Sequence, residues 1–583
     1  MRFKGIPLKE MPRISGIQYS RLNRLDVAGF KAFGDKQSLP IAPITLVFGA
    51  NSSGKSSLIQ ALALMRELVL TDEADVRFPK LGERRIDLGG FENYRSRFSN
   101  LKDVGLTLSF RDIDHADIQY DYGISVGPSR ITDNEFFRND LHGKDLDYAV
   151  NSISVAGSGI RYSVQLTLFF VGIEDQQNPL SYNFRWNEFE VAEEGLQFLL
   201  LPAFASEENR FNERLRSLGI LTDQDELGRE KYILAVKWLL NQEHLVTYIC
   251  RGKLAGLNSF NTGGYFKDEE SDEGEEVFLP SSVFSTETAA RDHLRNFLEI
   301  ECLGVDDNLL PITDELFNDI WDIAVDRIPK SLSKLSSKAY TRYHSLLTCM
   351  RYLGPIREMP GRYIADKYGH LDRESQSSGI GAYSEIMNNS SLLGKVNHWL
   401  SGRILNKEYL FKSMECVPIG TDVTDRSREL RFYERVDGKN IELSLQDVGS
   451  GVSQIVPVVT FCLGNTRKTL LMEQPELHLH PSGAAEMGDL LIESALSNRN
   501  TIIAETHSEH LILRILKRIR QTYDGSLPGH LPPIKAEDVS VVFVKPKEKC
   551  KGSEIVPIPI TEDGDILFGW PDGFLPDRLG EFF

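Results

Sequence analysis

The chain has 583 residues, with 66 Lys and Arg against 84 Asp and Glu, and a formal net charge of −18. That length exceeds one ordinary core and predicts two or more substructures. The 41% apolar and 26% charged content is that of a globular chain. The charge argues against a uniformly basic nucleic-acid binder, and the absence of a run of about 18 apolar residues argues against a membrane span.

In chain order, residues 1–19 read as an extension. The start, Met1-Arg2-Phe3-Lys4-Gly5, lacks the apolar block of a signal peptide, so a cytoplasmic location is expected. Alternating apolar positions from Leu22 to Leu39 predict a β-hairpin region. Ile44-Thr45-Leu46-Val47-Phe48 is a nearly continuous apolar run, as in a buried parallel strand. After a Gly/Ser loop, Leu58, Ala61, Leu62, Met65 and Leu68 recur at helical spacing, predicting a helix over Ser57 to Leu70. Period-two alternation in Gly105 to Phe110 and Tyr162 to Leu168 predicts strands. Helical patterns follow around Ile233 to Leu240 and Ala289 to Leu298. The acidic run 268–276 reads as a self-repelling loop, with docking of a basic partner as the other reading. Thr469-Leu470-Leu471-Met472 and Thr501-Ile502-Ile503-Ala504, with a helix-like segment from Gly483 to Ala495 between them, predict parallel strands of a βαβ unit. The six cysteines, Cys250, Cys302, Cys349, Cys416, Cys462 and Cys550, form no C-x-x-C pair, so free thiols are expected rather than a zinc site.

The loop Gly49-Ala50-Asn51-Ser52-Ser53-Gly54-Lys55-Ser56 fits G-x-x-x-x-G-K-[ST]. Glycines let several backbone N–H groups converge on one anion, and the following helix adds its positive end. Lys55 is expected on the β- and γ-phosphates of ATP, and the Ser56 hydroxyl on Mg²⁺; Ser57 completes the string. Glu473, at the tip of the second apolar strand, is expected to hold the Mg²⁺ hydration shell. His507, just past the third, is placed to approach the γ-phosphate from the same edge. Gly449, Ser450, Gly451 and Ser453 precede a helix-like run from Ile455 to Leu463 and offer a second anion site. Two such sites meet on one nucleotide if two chains pack head to tail. Arg514, Lys517, Arg518 and Arg520 form a basic cluster, read as a solvated helix face with nucleic-acid contact as the alternative.

The order of these motifs resembles the ATP-binding-cassette ATPases of the SMC and RecF kind. The strings Ile44 to Ser57, Glu473-Gln474-Pro475-Glu476-Leu477-His478-Leu479-His480-Pro481 and Glu505-Thr506-His507-Ser508-Glu509-His510 resemble bacterial AAA-family ATPases related to the OLD proteins. Tyr352-Leu353-Gly354-Pro355-Ile356-Arg357, Val396-Asn397-His398-Trp399-Leu400 and the tail Ile566 to Phe574 are similar to a subset of these that carry a short C-terminal domain. The likeness covers about 21–100 and 345–583.

The resemblance implies an α/β fold: an ABC-type P-loop ATPase head with an antiparallel β subdomain and a mixed, partly helical insertion between its halves. The expected divisions are 1–19, 20–200, 201–345, 346–530 and 531–583. It further implies that Gly49 to Ser57 form the Walker A loop, Glu473 the Walker B acid, Gly449 to Gln454 the signature motif and His507 the switch histidine. The residue after the Walker B acid, usually a catalytic Glu, is here Gln474, a poor proton acceptor. Hydrolysis is therefore expected to be slow, or Glu476 or Glu505 substitutes. The signature departs from Leu-Ser-Gly-Gly, and the Q-loop is placed at Leu88-Gly89-Gly90-Phe91-Glu92. The 76 residues after His507 are short for a Toprim nuclease domain, and Asp563-Gly564-Asp565 reads as a turn.

The leading expectation is a homo-oligomeric ATPase, a head-to-tail dimer or larger, that scaffolds or regulates a nuclease or toxin in bacterial antiphage defence. The alternatives are a RecF-like repair ATPase that binds DNA directly, and a nucleotide-dependent scaffold with negligible turnover.

Overall fold

The computed structural model describes residues 20–71, 75–81, 84–112, 118–128, 148–170, 180–192, 195–196, 239, 243–250, 287–297, 314–359, 378–401, 411–418, 428–436, 439–444, 446–448, 450–547 and 552–567. The extension 1–19, the acidic run 268–276, Gly449, Cys302, Cys550, the tail beyond Leu567 and all of Ile233 to Leu240 but Leu239 lie outside them.

In chain order the elements begin with β1 (Ser20–Ala28), β2 (Gln37–Pro40), β3 (Ile44–Gly49) and α1 (Lys55–Thr71). The two-residue strands β4 (Lys80–Leu81) and β5 (Arg84–Arg85) and the single turn α2 (Phe91–Tyr94) follow. Next come β6 (Val104–Asp112), β7 (Gln119–Pro128), β8 (Tyr148–Gly157), β9 (Ile160–Phe170) and β10 (Leu180–Val191). The middle is helical: α3 (Glu243–Cys250), α4 (Glu287–Phe297), α5 (Asp314–Asp322) and, after a π turn at Ile323–Arg327, α6 (Ile328–Thr348). The last part runs β11 (Met350–Leu353), α7 (Ile380–Asn388), α8 (Ser390–Trp399), β12 (Phe411–Pro418), β13 (Arg428–Val436), β14 (Lys439–Ser444), α9 (Ser450–Gly464) and β15 (Thr469–Glu473). It closes with α10 (Pro481–Ile492), β16 (Thr501–Glu505), α11 (Glu509–Tyr523), β17 (Val539–Pro546) and β18 (Ser553–Ile558).

Two compact units form. One is formed by the described residues from 107 to 343, the other by those from 20 to 106 and from 344 to 567. In the first, β7 to β10 make an antiparallel meander. Tyr122 and Tyr343 stack with centroids 4.4 Å apart, Arg342 donates to Asp112 at 2.7 Å, and Tyr162 hydrogen-bonds Ser336. These contacts bind α6 into the unit. Arg291 and Arg295 of α4 lie over the Phe317 ring of α5, at 5.3 and 4.6 Å from its centroid.

The second unit is built on a six-stranded sheet of order β11-β15-β16-β3-β17-β18. Adjacent strands are parallel except β17 and β18. The apolar sequences of β3 and β16 follow from this position, because every residue of both is buried. Helices α7, α8, α9, α10 and α11 share one core with the sheet, including Tyr383, Val396, Ile455, Val459, Leu490 and Ile515. The β1–β2 hairpin and the three-stranded sheet β12-β13-β14 complete the unit. The parallel pairing of β15 with β16, the hairpin and helices α1, α4, α9 and α10 match the sequence expectation.

Two surface features have plain structural roles. Arg514 and Arg518 of α11 converge on Asp489 of α10, at 2.9 and 2.7 Å, and Arg514 also meets Glu486 at 3.1 Å. Arg520 pairs with Asp563 and Asp565 at 3.5 and 2.6 Å. The basic cluster is thus largely occupied by carboxylates of the same unit. Gly564, at φ +82°, makes Asp563-Gly564-Asp565 a turn, closed by hydrogen bonds to Thr561.

Candidate functional site

Strands β15, β16 and β3 bring the chemistry-bearing residues to one edge. Their register pairs Glu473 with Glu505 and Glu505 with Val47, two residues before Gly49. The carboxyl ends of parallel strands are where open α/β sheets place their ligands, and the loop after β3 opens there into α1. Gly49 has φ +149° and Gly54 φ +102°. A Cβ on Gly49 would meet the Val544 carbonyl oxygen at 2.3 Å, and one on Gly54 would meet Ala32 Cβ at 2.6 Å. Ser52 holds φ +62°. Residues 49–56 therefore curl tightly, and only glycine fits at the two closest approaches.

Lys55 and Ser56 open α1. Lys55 is 5% exposed, and its Nζ donates to the carbonyls of Gly49 and Ala50 at 3.0 and 2.8 Å. It also lies 3.8 Å from Glu505 Oε1. Burial lowers the Lys55 pKa, and the Glu505 carboxylate opposes that shift. Ser56 Oγ donates to Glu505 Oε2 at 2.8 Å. Ser53 Oγ is buried with no hydrogen-bond partner. The loop thus holds a cation, two hydroxyls and the start of a helix within one concavity.

Glu473 is fixed by β11 and the loop that follows it. The Tyr352 hydroxyl donates to Glu473 Oε1 at 2.6 Å, and Arg357 Nη2 donates to the carbonyls of Glu473 and Gln474, each at 3.0 Å. Gln474 has φ +45° and donates its N–H to the Glu505 carbonyl at 2.7 Å. Glu476 Oε1 accepts the backbone N–H of His507 at 2.9 Å. The His507 imidazole has its pKa lowered, first by burial and then by the Lys55 cation, against the pull of Glu476 and Glu505. These influences favour the neutral ring, which offers one donor and one acceptor.

The strand-tip residues Glu473, Gln474, Glu476 and His507 are therefore joined through hydrogen bonds to one another or to shared partners. Among the residues of the second anion segment, Ser450 begins α9 and Gly451 and Ser453 are buried. The Ser453 carbonyl accepts the Tyr383 hydroxyl at 3.0 Å, and Gln454 Nε2 donates to the Arg357 carbonyl at 2.8 Å. The sequence reading assigned no role to Tyr352 or Arg357, although it singled out their string, and it named Glu505 only as a substitute base. The strand-tip position of Glu505, matching that of Glu473, was the available signal.

The residues suit a nucleotide with Mg²⁺. The tight curl leaves N–H groups and a buried lysine for phosphate oxygens. Mg²⁺ prefers hard oxygen donors and is held by one or two carboxylates with phosphates and water. Ser56, Glu473 and Glu505 supply that donor type. Among the described residues no group of three or more His, Cys, Asp or Glu is arranged to hold a metal by itself.

Comparison with known proteins agrees with this class. Residues 370–512 match the family model described as "AAA ATPase domain". Residues 44–150 match the one described as "AAA domain, putative AbiEii toxin, Type IV TA system". No curated protein matches. Solved structures that align include the SMC head domain from Thermotoga maritima, at 12% identity and TM-score 0.30, covering 93% of this chain and 100% of that one. Another is the Smc head domain with a coiled coil and joint from Pyrococcus yayanosii, at 12% identity and TM-score 0.32, covering 94% and 98%. At those scores the alignments add nothing to the fold argued above from strand order. The two matched segments support an ATPase with AAA-type domains, and they include β3 with its phosphate loop and the region from Gly451 to His507.

Proposed function

We propose that the chain binds ATP with Mg²⁺ and hydrolyses it slowly, and that nucleotide binding closes two copies head to tail to control a protein effector. The observation that carries the nucleotide reading is the meeting of Lys55 and Ser56 with Glu505, with Glu473 next to Glu505 in register. Cation, hydroxyl and carboxylates meet where the phosphate loop enters its helix. Slow turnover follows from Gln474, since general-base catalysis contributes about 10²–10⁴-fold and an amide accepts a proton poorly. Glu476 and Glu505 are the carboxylates nearest to that role along the chain. The effector reading, a nuclease or toxin in bacterial antiphage defence, rests on the resemblance of the strings at both ends of the chain. The second matched family, whose description names a type IV toxin–antitoxin system, is in keeping with it.

Calorimetric titration of ATP with Mg²⁺ tests the reading. Lys55→Ala removes a charged donor, so binding is expected to weaken by roughly ten- to a hundredfold, the equivalent of about 1.5–3 kcal/mol. Chelation of Mg²⁺ is expected to abolish turnover and leave only weak nucleotide binding. ATP affinity equal in the wild type and Lys55→Ala would refute the assignment.

A further inference from the structure

Arg357 is an unusual residue to find where it is. It is 3% exposed, and a buried guanidinium is costly to desolvate unless it is paired and hydrogen-bonded. Its Nη2 is used twice, by the carbonyls of Glu473 and Gln474. Its Nε and Nη1 have no hydrogen-bond partner. Burial lowers its pKa to about 10, and the Glu476 carboxylate is the largest influence opposing that shift. Glu476 itself spends Oε1 on the His507 N–H, while its Oε2 is buried without a partner. Arg357 and Glu476 thus each keep buried polar atoms unpaired without bonding one another.

The backbone of Arg357 completes the arrangement, because its carbonyl accepts Gln454 Nε2 from the first turn of α9. One residue thus touches Glu473, Gln474 and α9, with Glu476 and the His507 backbone one step further. The peptide it grips is strained: Gln474 sits at φ +45°, a conformation that a non-glycine residue keeps only where its surroundings hold it there. Arg357 and the Leu477 N–H, both on the Gln474 carbonyl, and the Glu505 carbonyl, on the Gln474 N–H, hold it there.

We infer that Arg357 is a positioning residue for hydrolysis: it sets the Glu473 and Gln474 carbonyls at the strand tip and joins them to α9. This deepens the ATPase reading and rests on it. The guanidinium does not touch the reacting atoms. It fixes where Gln474 stands at the strand tip, so a displacement of α9 is transmitted there through the Gln454 contact. Arginine suits the task because its planar guanidinium holds two carbonyls on one Nη2 in a fixed geometry, whereas lysine offers a point charge.

The test measures ATP dissociation constants and steady-state kcat for the full chain. Arg357→Ala is expected to lower kcat by about 10²-fold, the scale of a reacting group misplaced by roughly 1 Å, with the ATP dissociation constant unchanged within about threefold. Arg357→Lys restores part of that loss. Gln454→Ala, which removes the contact to α9, lowers kcat in the same way, and adding it to Arg357→Ala produces little further loss, as expected of groups that act together. If Arg357→Ala does not fold, Arg357→Lys and Gln454→Ala carry the test through the same split between binding and turnover. Wild-type kcat in Arg357→Ala, full additivity in the double variant, or equal losses of binding and turnover in folded variants would overturn the inference. A wild-type chain that binds ATP and never turns it over would end the hydrolysis reading, and this inference with it. Active wild type, inactive Lys55→Ala and unaffected Arg357 variants would end the inference alone.

Discussion

At the scale of single residues, backbone space separates functional glycines from incidental ones. Gly49 sits at φ +149°, where a Cβ would stand 2.3 Å from the Val544 carbonyl oxygen. Gly394 lies exposed within α8, with nothing within 4 Å of a Cβ built on it. Gly49→Ala is expected to destabilise the fold by roughly 1–3 kcal/mol, as strained backbone positions do, and to weaken ATP binding with it. Gly394→Ala is expected to stabilise by about 0.5–1 kcal/mol, because alanine loses less backbone freedom in a helix. Thermal or urea denaturation of the two variants reads both signs, and a destabilising Gly394→Ala would count against this account of α8. The same contrast explains what the sequence disclosed about the site. The phosphate loop is legible because its chemistry is local: Lys55 Nζ bonds carbonyls five and six residues away. The Ser56–Glu505 bond spans 449 residues, and the Tyr352–Glu473 and Arg357–Glu473 bonds span 121 and 116. Such pairings depend on strand order, which no local pattern encodes.

At the scale of elements, periodicity served where one face is buried. The continuous apolar runs of β3, β15 and β16 announced a parallel sheet, and the structure pairs them through β16. The partners of charged side chains were not announced. Arg514, Lys517, Arg518 and Arg520 read as a solvated face, with a nucleic-acid surface as the alternative, since periodicity places a side chain on a face and does not name what opposes it. Asp489, 1% exposed, is what opposes two of them. Here α10 and α11 are locked by one buried carboxylate between two guanidiniums. Truncating Asp489 leaves both cations poorly compensated, and breaking a buried pair typically costs about 3–5 kcal/mol. Asp489→Ala is expected to lower the midpoint of urea unfolding accordingly. Asp489→Ala combined with Arg518→Met, which removes one stranded cation, is expected to recover part of the loss. A single variant as stable as the wild type would show that α10 and α11 are held by their apolar contacts alone.

At the scale of the whole molecule, charge distinguishes self-association from DNA binding. Each copy carries a formal net charge of −18, and bound ATP adds more negative charge. Two copies approaching one another repel over distances set by the Debye length, about 30 Å at 0.01 M salt and 8 Å at 0.15 M. Salt therefore screens a term that opposes closure. DNA binding responds in the opposite sense, because it releases counterions from phosphates neutralised by Lys and Arg, and its constant falls steeply as salt rises. The proposed ATP-dependent dimer is thus expected to strengthen, or at least to persist, as NaCl is raised from about 10 mM to 150 mM, the range over which that length contracts. Sedimentation velocity with ATP and Mg²⁺, on the wild type and on Lys55→Ala, measures it. A dimer that appears without nucleotide, or equally in Lys55→Ala, would not be the head-to-tail species. Tight DNA retention at low salt that is lost at 150 mM would instead establish a local basic surface strong enough to overcome the net charge, and would turn the functional reading toward a repair ATPase.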